Sequence, residues 1–130
     1  MRNLLALPAL LLAGACSGPL LYLPGGALEG PERPWTDAVV PPGGSVIQLE
    51  TNPADPYSVN INAVGIDGRL YIDPAPDRRW YQHMVSDADV RVRFGGSETI
   101  YTARVVEAEE AVRTQFEADR IVLRLVPRET

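Results

Sequence analysis

The sequence predicts a mainly β domain, with about six short antiparallel strands and two short helices closed or half-closed into a barrel. Three features of the 130-residue chain carry that expectation. Apolar and polar residues alternate with a period of two along Tyr57–Val64 and Asp89–Phe94, the mark of half-buried strands. Asp67-Gly68 is a two-residue hairpin signal, because both central residues of a type I′ turn need positive φ. Helical spacing is confined to two short stretches, near residues 78–86 and 107–119. Hydrophobic residues make up 45% of the chain and charged residues 22%, a balance that favours a folded core over disorder.

The strands follow in chain order. Ser45–Thr51 is a strand candidate, closed by the turn-rich Asn52-Pro53-Ala54-Asp55-Pro56. Tyr57–Val64 places Val59, Ile61 and Ala63 on one face and Ser58, Asn60 and Asn62 on the other. Through the Asp67-Gly68 turn, Arg69–Ile72 returns antiparallel beside it. Asp77 is positioned to cap a helix from Arg78 to about Ser86, whose buried face carries Trp80 with Met84 and Tyr81 with Val85, each pair four residues apart. Arg79 and His83 share its opposite edge. Asp89–Phe94 directs Val90, Val92 and Phe94 inward, and Gly95-Gly96 turns the chain into a strand over Thr99–Val106. The Glu-rich Glu107–Asp119 fits a second short helix with Val112 and Phe116 as its buried edge. Ile121–Val126 closes the set with Ile121, Leu123 and Leu125 on one face. Residues 45–130 thus form the domain.

What precedes it reads differently. Arg2 leads an uncharged, largely apolar run that ends in Ala13-Gly14-Ala15 and the only cysteine, Cys16. That run is shorter than the ~20 residues a spanning helix needs, and its layout is that of a secretory signal. Residues 1–15 resemble a bacterial lipoprotein signal, and the resemblance implies that Cys16 is lipidated and becomes the mature N-terminus. Ser17 in the next position implies sorting to the outer membrane, facing the periplasm. Between Ser17 and Gly44 stand six prolines and six glycines, which break helices and inner strands. Residues 16–44 are therefore expected to be a lipidated tether. Leu20-Leu21-Tyr22-Leu23 and Trp35 are costly to leave in water, so the tether is expected to lie against the domain as an extended arm or to add a first edge strand.

Charge and motif content narrow the function. The net charge is −5 and there is no basic run, so the chain lacks the cationic surface that nucleic-acid binding requires. It has no G-x-S-x-G elbow, no paired Cys/His metal spacing and no phosphate-binding glycine loop. Arg78, Arg79 and His83 at a helix start, with Trp80 beside them, are the candidate binding residues, weighed against a solvated helix face packed beside aromatic core. His83, the only histidine, reads best as a lone surface residue. Arg91, Arg93, Arg104 and Arg124 alternate on three strands and are expected to find acids within the chain, chiefly in Glu107–Glu110.

The order of these elements resembles the split β-barrel of the pyridoxamine 5′-phosphate oxidase-like and deazaflavin-dependent nitroreductase-like proteins. The resemblance covers Ser45 to about Val126. It rests on Asp67-Gly68-Arg69-Leu70-Tyr71-Ile72, on Arg79-Trp80-Tyr81-Gln82-His83-Met84 and on Asp87-Ala88-Asp89-Val90-Arg91-Val92-Arg93. It implies a homodimer holding FMN or the deazaflavin F420 in a groove between subunits. The family's phosphate grips are not matched: Thr51–Tyr57 carries an acid where deazaflavin binders have a basic turn, Tyr57–Val64 has no basic residue, and Trp80 stands where FMN oxidases carry lysine. The expectation is therefore a lipid-anchored envelope protein with a cofactor-free, non-catalytic module for an unknown small ligand or partner. A flavin (FMN) or F420 oxidoreductase is the alternative.

Overall fold

The computed structural model describes residues 18–128. The signal, Cys16 and its acylation lie outside the described residues. The fold is mainly β: six antiparallel strands form a closed barrel, with two short helices and one added edge strand. In chain order the elements are β1 (Glu32–Pro34), a 3-10 turn (Asp37–Val39), β2 (Gly43–Thr51), β3 (Tyr57–Ile66), β4 (Arg69–Ile72), α1 (Arg79–Ser86), β5 (Asp89–Phe94), β6 (Ile100–Glu107), α2 (Glu110–Arg113) and β7 (Leu123–Pro127).

The barrel runs β6-β5-β2-β3-β4-β7 and closes where β7 returns to β6. Its longest ladder pairs Gly43–Thr51 with Gly65–Tyr57 in unbroken antiparallel register. The turn between β3 and β4 is the expected one, with Asp67 at φ 52° and Gly68 at φ 78°. Alternation puts Ile47, Leu49, Ala63, Leu70, Val90, Val92, Leu123 and Leu125 inside one core. The inward faces are those read from the sequence, because a period of two leaves a barrel strand only one way to bury its apolar set.

Residues 18–42 are docked on the barrel. Trp35, 1% exposed, joins the core, stacked on Phe94 at a ring separation of 5.9 Å and edge-on to Tyr101 at 6.0 Å. β1 adds in parallel to Ile100–Thr102 of β6, on the edge that β7 leaves open. Gly25 and Ser58 exchange both backbone hydrogen bonds at 2.8 Å. At Gly65 the arm passes so close that a Cβ would lie 2.1 Å from the Pro41 carbonyl oxygen.

Several local expectations are corrected. Leu20–Leu23 is neither buried nor a strand; it forms an exposed tight turn closed by reciprocal Leu20–Leu23 backbone bonds. The edge strand is Glu32–Pro34 instead, where the chain is already extended by its prolines. Asp77 does not cap α1: Arg78 holds the N-cap position and no side chain caps it. Val85 is exposed, so the buried face of the eight-residue helix narrows to Trp80, Tyr81 and Met84. The second helix is a single turn, because β6 runs on to Glu107 and the chain beyond Arg113 tightens into i→i+3 turns at Gln115 and Phe116. Val112 and Phe116 still pack on Tyr71, Ala108 and Val122.

Candidate functional site

β4 pairs with β3 only at Val64–Ile66, so the first part of β3, from Tyr57 to Ala63, has no strand on that side. The split is bordered by the Asp73–Arg78 loop and by the first turn of α1. It opens as a groove of about 600 Å³ whose other wall is the arm, Leu21–Pro24. Arg78, Arg79 and Trp80 line it, together with Tyr57, Asn60 and Asn62 of β3.

Local chemistry fixes each of these positions. The loop turns through an Arg78 N–H to Ala75 carbonyl bond of 3.1 Å, and the Arg78 carbonyl accepts from the N–H groups of Tyr81 and Gln82, which starts the helix. The Arg79 guanidinium sits over the Tyr57 ring, 5.7 Å from its centre, a cation–π placement that holds the charge at the groove wall. Among the described residues neither Arg78 nor Arg79 makes an ion pair. Arg120, also in the groove, is engaged by Asp73 at 2.9 Å, with a further 3.2 Å bond to the Asp73 carbonyl oxygen. The groove therefore offers two guanidinium groups that make no ion pair among the described residues, beside aromatic and amide side chains and the carboxyl group of Asp77.

His83 departs from the sequence reading. It is half-buried beneath Tyr57, its ring edge-on at 5.2 Å, and its Nδ1 lies 2.9 Å from Thr51 Oγ1. Thr51 Oγ1 also lies 3.3 Å from the Tyr57 carbonyl oxygen, so its single hydroxyl proton serves one of the two contacts according to the His83 tautomer. Thr51 is buried and its hydroxyl proton is committed. The pair braces β2, β3 and α1 under the groove; it does not present a nucleophile to it. Of the four candidate residues, Arg78, Arg79 and Trp80 are thus brought together at the groove, while His83 supports it from behind.

The arginine strands do not form one patch. Arg124 meets Glu109 at 2.8 Å, as expected from the Glu-rich segment. Arg91 is claimed by Glu50 and Glu32, and Arg93 by the Gln48 side chain and the Glu29 carbonyl. Arg104 Nε is buried without a partner among the described residues. Hydrogen bonding by Glu50 raises the pKa of Arg91 above its ordinary value. Burial, then the Glu109 contact, raises that of Tyr71, whose hydroxyl donates to Glu109 at 2.7 Å. That same bond lowers the pKa of Glu109, with Arg124 helping. Among the described residues no group of three or more His, Cys, Asp or Glu side chains is placed to hold a metal ion.

Sequence reasoning missed the β3 half of the groove. Asn60 and Asn62 read only as the polar face of a strand, Tyr57 only as its first residue, and Arg120 not at all. Their meeting with Arg78 depends on where β4 stops, which no local pattern encodes.

A closed six-stranded antiparallel barrel, split between β3 and β4 and carrying a short helix before β5, has the split-barrel architecture. Among solved structures it is similar to a Listeria innocua protein provisionally named a pyridoxamine 5′-phosphate oxidase, with a TM-score of 0.54 and 13% identity over 65% of this chain and 85% of that one. At that identity the likeness extends to the fold alone. No protein-family model matches the chain, and no curated protein matches it.

Proposed function

We propose that the protein is a lipid-anchored component of the bacterial envelope, held in the outer membrane through Cys16 and facing the periplasm. Its split-barrel domain acts as a non-catalytic binding module. The observation that carries the binding reading is the groove of about 600 Å³ in which Arg78 and Arg79, free of ion pairs among the described residues, stand beside Trp80, Tyr57 and two asparagines. Such a lining suits a small anionic ligand with a flat or apolar body: guanidinium groups make charge-assisted hydrogen bonds, and aromatic faces accept stacking. The groove's chemistry supports holding rather than converting, since His83 and Thr51 are spent on each other and on Tyr57.

The second reading is a flavin- or F420-dependent oxidoreductase. It is favoured by the name of the Listeria protein and by the cationic start of α1, where a phosphate could dock. Thr51–Tyr57 carries an acid and no base, and Asp73 and Asp77 also line the groove, which weighs against it.

Titration of the purified protein with FMN and with F420, followed by fluorescence, separates the two. The binding-module reading expects no micromolar affinity for either; micromolar binding that Arg79→Ala abolishes would overturn it in favour of a cofactor site. Anchoring is tested by growth with a clickable fatty acid, where label on the wild type and none on Cys16→Ser is expected. Light scattering at high concentration tests the homodimer, for which a monomer alone would exclude a groove built by two subunits.

A further inference from the structure

Leu20–Leu23 is the most exposed apolar feature described in this chain. The four side chains are 60, 76, 100 and 65% exposed in order. They are nonetheless held in a defined shape. Leu20 and Leu23 exchange backbone hydrogen bonds of 3.0 and 2.8 Å, and Leu21 takes a left-handed φ of 53°. Asn60 Nδ2 donates to the Leu21 carbonyl oxygen at 3.0 Å, and the Gly25–Ser58 pair fixes the base of the turn to β3. A loop built this firmly around side chains that shun water has a surface to meet.

Chain length identifies that surface. Three residues separate Leu20 from Cys16, a span of four chain steps, so a lipidated Cys16 would lie no further than roughly 14 Å from the turn, at the ~3.5 Å per residue of extended chain. An acylated cysteine at the bilayer surface thus brings Leu20–Leu23 to the same surface. The composition fits, with leucines to enter the acyl boundary and a tyrosine, a residue enriched at membrane interfaces.

We propose that the Leu20–Leu23 turn is a membrane seat, inserting into the interfacial layer of the phospholipid bilayer beside the Cys16 anchor. The inference rests on the anchoring reading above for its geometry. It converts a single-point tether into a two-point contact that fixes the barrel's orientation. The groove shares Leu21–Pro24 as a wall, so the seat holds Arg78 and Arg79 close to the headgroup layer.

The test attaches an environment-sensitive dye to Tyr22→Cys in the full chain, with Arg69→Cys at the start of β4, beyond the β3–β4 turn, as a control. Both proteins are reconstituted in phosphatidylethanolamine/phosphatidylglycerol vesicles. Dye at position 22 should shift to shorter wavelength and be quenched several-fold by brominated lipid, and dye at position 69 should not respond. In parallel, a hexahistidine tag replaces residues 1–16 and nickel-chelating lipid tethers the protein whatever its acyl state. Insertion at position 22 in that arm, with no fatty-acid label on the wild type, would support the seat while removing the acyl anchor. Water-like emission at position 22 on tethered vesicles overturns the seat even where Cys16 is acylated. A shift that appears without lipid and grows with protein concentration also overturns it, since a second copy would then cover the turn.

Discussion

Arg91 grips Glu50 with two parallel hydrogen bonds, Nε to Oε1 at 2.8 Å and Nη2 to Oε2 at 2.7 Å, and both residues reach across to Leu28 of the arm. Glu50 Oε2 accepts the Leu28 N–H at 2.7 Å, and Arg91 Nη2 donates to the Leu28 carbonyl at 2.7 Å. Glu50 is 5% exposed and Arg91 17%. The pair sits on adjacent positions of β2 and β5 and satisfies the backbone of a segment that crosses them. It is therefore a clasp for the arm as well as an ion pair.

Arg91→Ala should accordingly be among the most damaging single changes. It leaves a buried carboxylate unpaired, a situation that costs about 3 to 5 kcal/mol. Chemical denaturation should show that loss, and hydrogen exchange should show the Leu28 amide opening. Arg91→Met with Glu50→Leu removes both charges and should cost less than Arg91→Ala alone. If the double variant is equally destabilised, the Leu28 contacts rather than the uncompensated charge dominate.

Trp35 makes the arm part of the core by packing rather than charge. Trp35→Ala should lose about 3 to 5 kcal/mol, the range for deleting a buried large aromatic. Trp35→Phe should lose clearly less, because the Trp35 Nε1–H is buried without a partner among the described residues and its removal relieves an unmet hydrogen bond. Denaturant midpoints of the two variants, read at constant slope, provide the check. Equal losses would mean that the indole nitrogen is not a liability.

Much of this architecture was legible in the chain. Val59-Ile61-Ala63, Val90-Val92 and Leu123-Leu125 alternate so regularly that their inward faces could be read directly, and Asp67-Gly68 fixed one hairpin. The first turn of α1 also stood out, which is why Arg78, Arg79 and Trp80 were found. Beyond the Arg124–Glu109 pair and the docking of Trp35, what escaped was the partnering set by long-range contacts. Glu50 looked like one polar residue in a strand, and nothing near it announces that Leu28 arrives on top. Hydrophobicity alone predicted that Leu20–Leu23 would be covered by the barrel, yet the tight turn at Leu21 points it away. His83, taken as a surface residue, is bound to Thr51 because β2 and α1 pack together beneath Tyr57.

Gly65 tests the close approach of arm and barrel. A Cβ there would overlap the Pro41 carbonyl carbon and oxygen, at 3.2 and 2.1 Å, and would press on Val40 at 3.1 Å. Backbone cannot yield as a flexible side chain can. Gly65→Ala should therefore destabilise by about 1 to 3 kcal/mol, as overpacking does, and should raise the susceptibility of the arm to limited proteolysis. Gly44→Ala is the matched control on β2, since its Cβ meets nothing within 4 Å. It should leave stability nearly unchanged.

The pH dependence of stability should carry the signature of Glu109. Its carboxylate accepts from the Tyr71 hydroxyl at 2.7 Å and from Arg124 at 2.8 Å, and these contacts hold its pKa below the ordinary value of 4.5. A carboxyl group with a depressed pKa binds its proton less readily in the folded than in the unfolded chain. Its contribution is therefore complete above pH 4.5 and fades as pH falls through the lower folded value. Glu109 is partly exposed, so screening keeps the effect modest. Tyr71 works in the opposite direction: its raised pKa means that its contribution is complete below pH 10.0 and is lost as pH climbs through the higher folded value. Denaturation midpoints measured from pH 2 to pH 6 should decline toward acid more steeply for the wild type than for Glu109→Gln. The two curves should converge at the acid end, where Glu109 is protonated in both states. Parallel curves across that range would show that the Tyr71–Glu109–Arg124 contacts add nothing to the stability of the barrel.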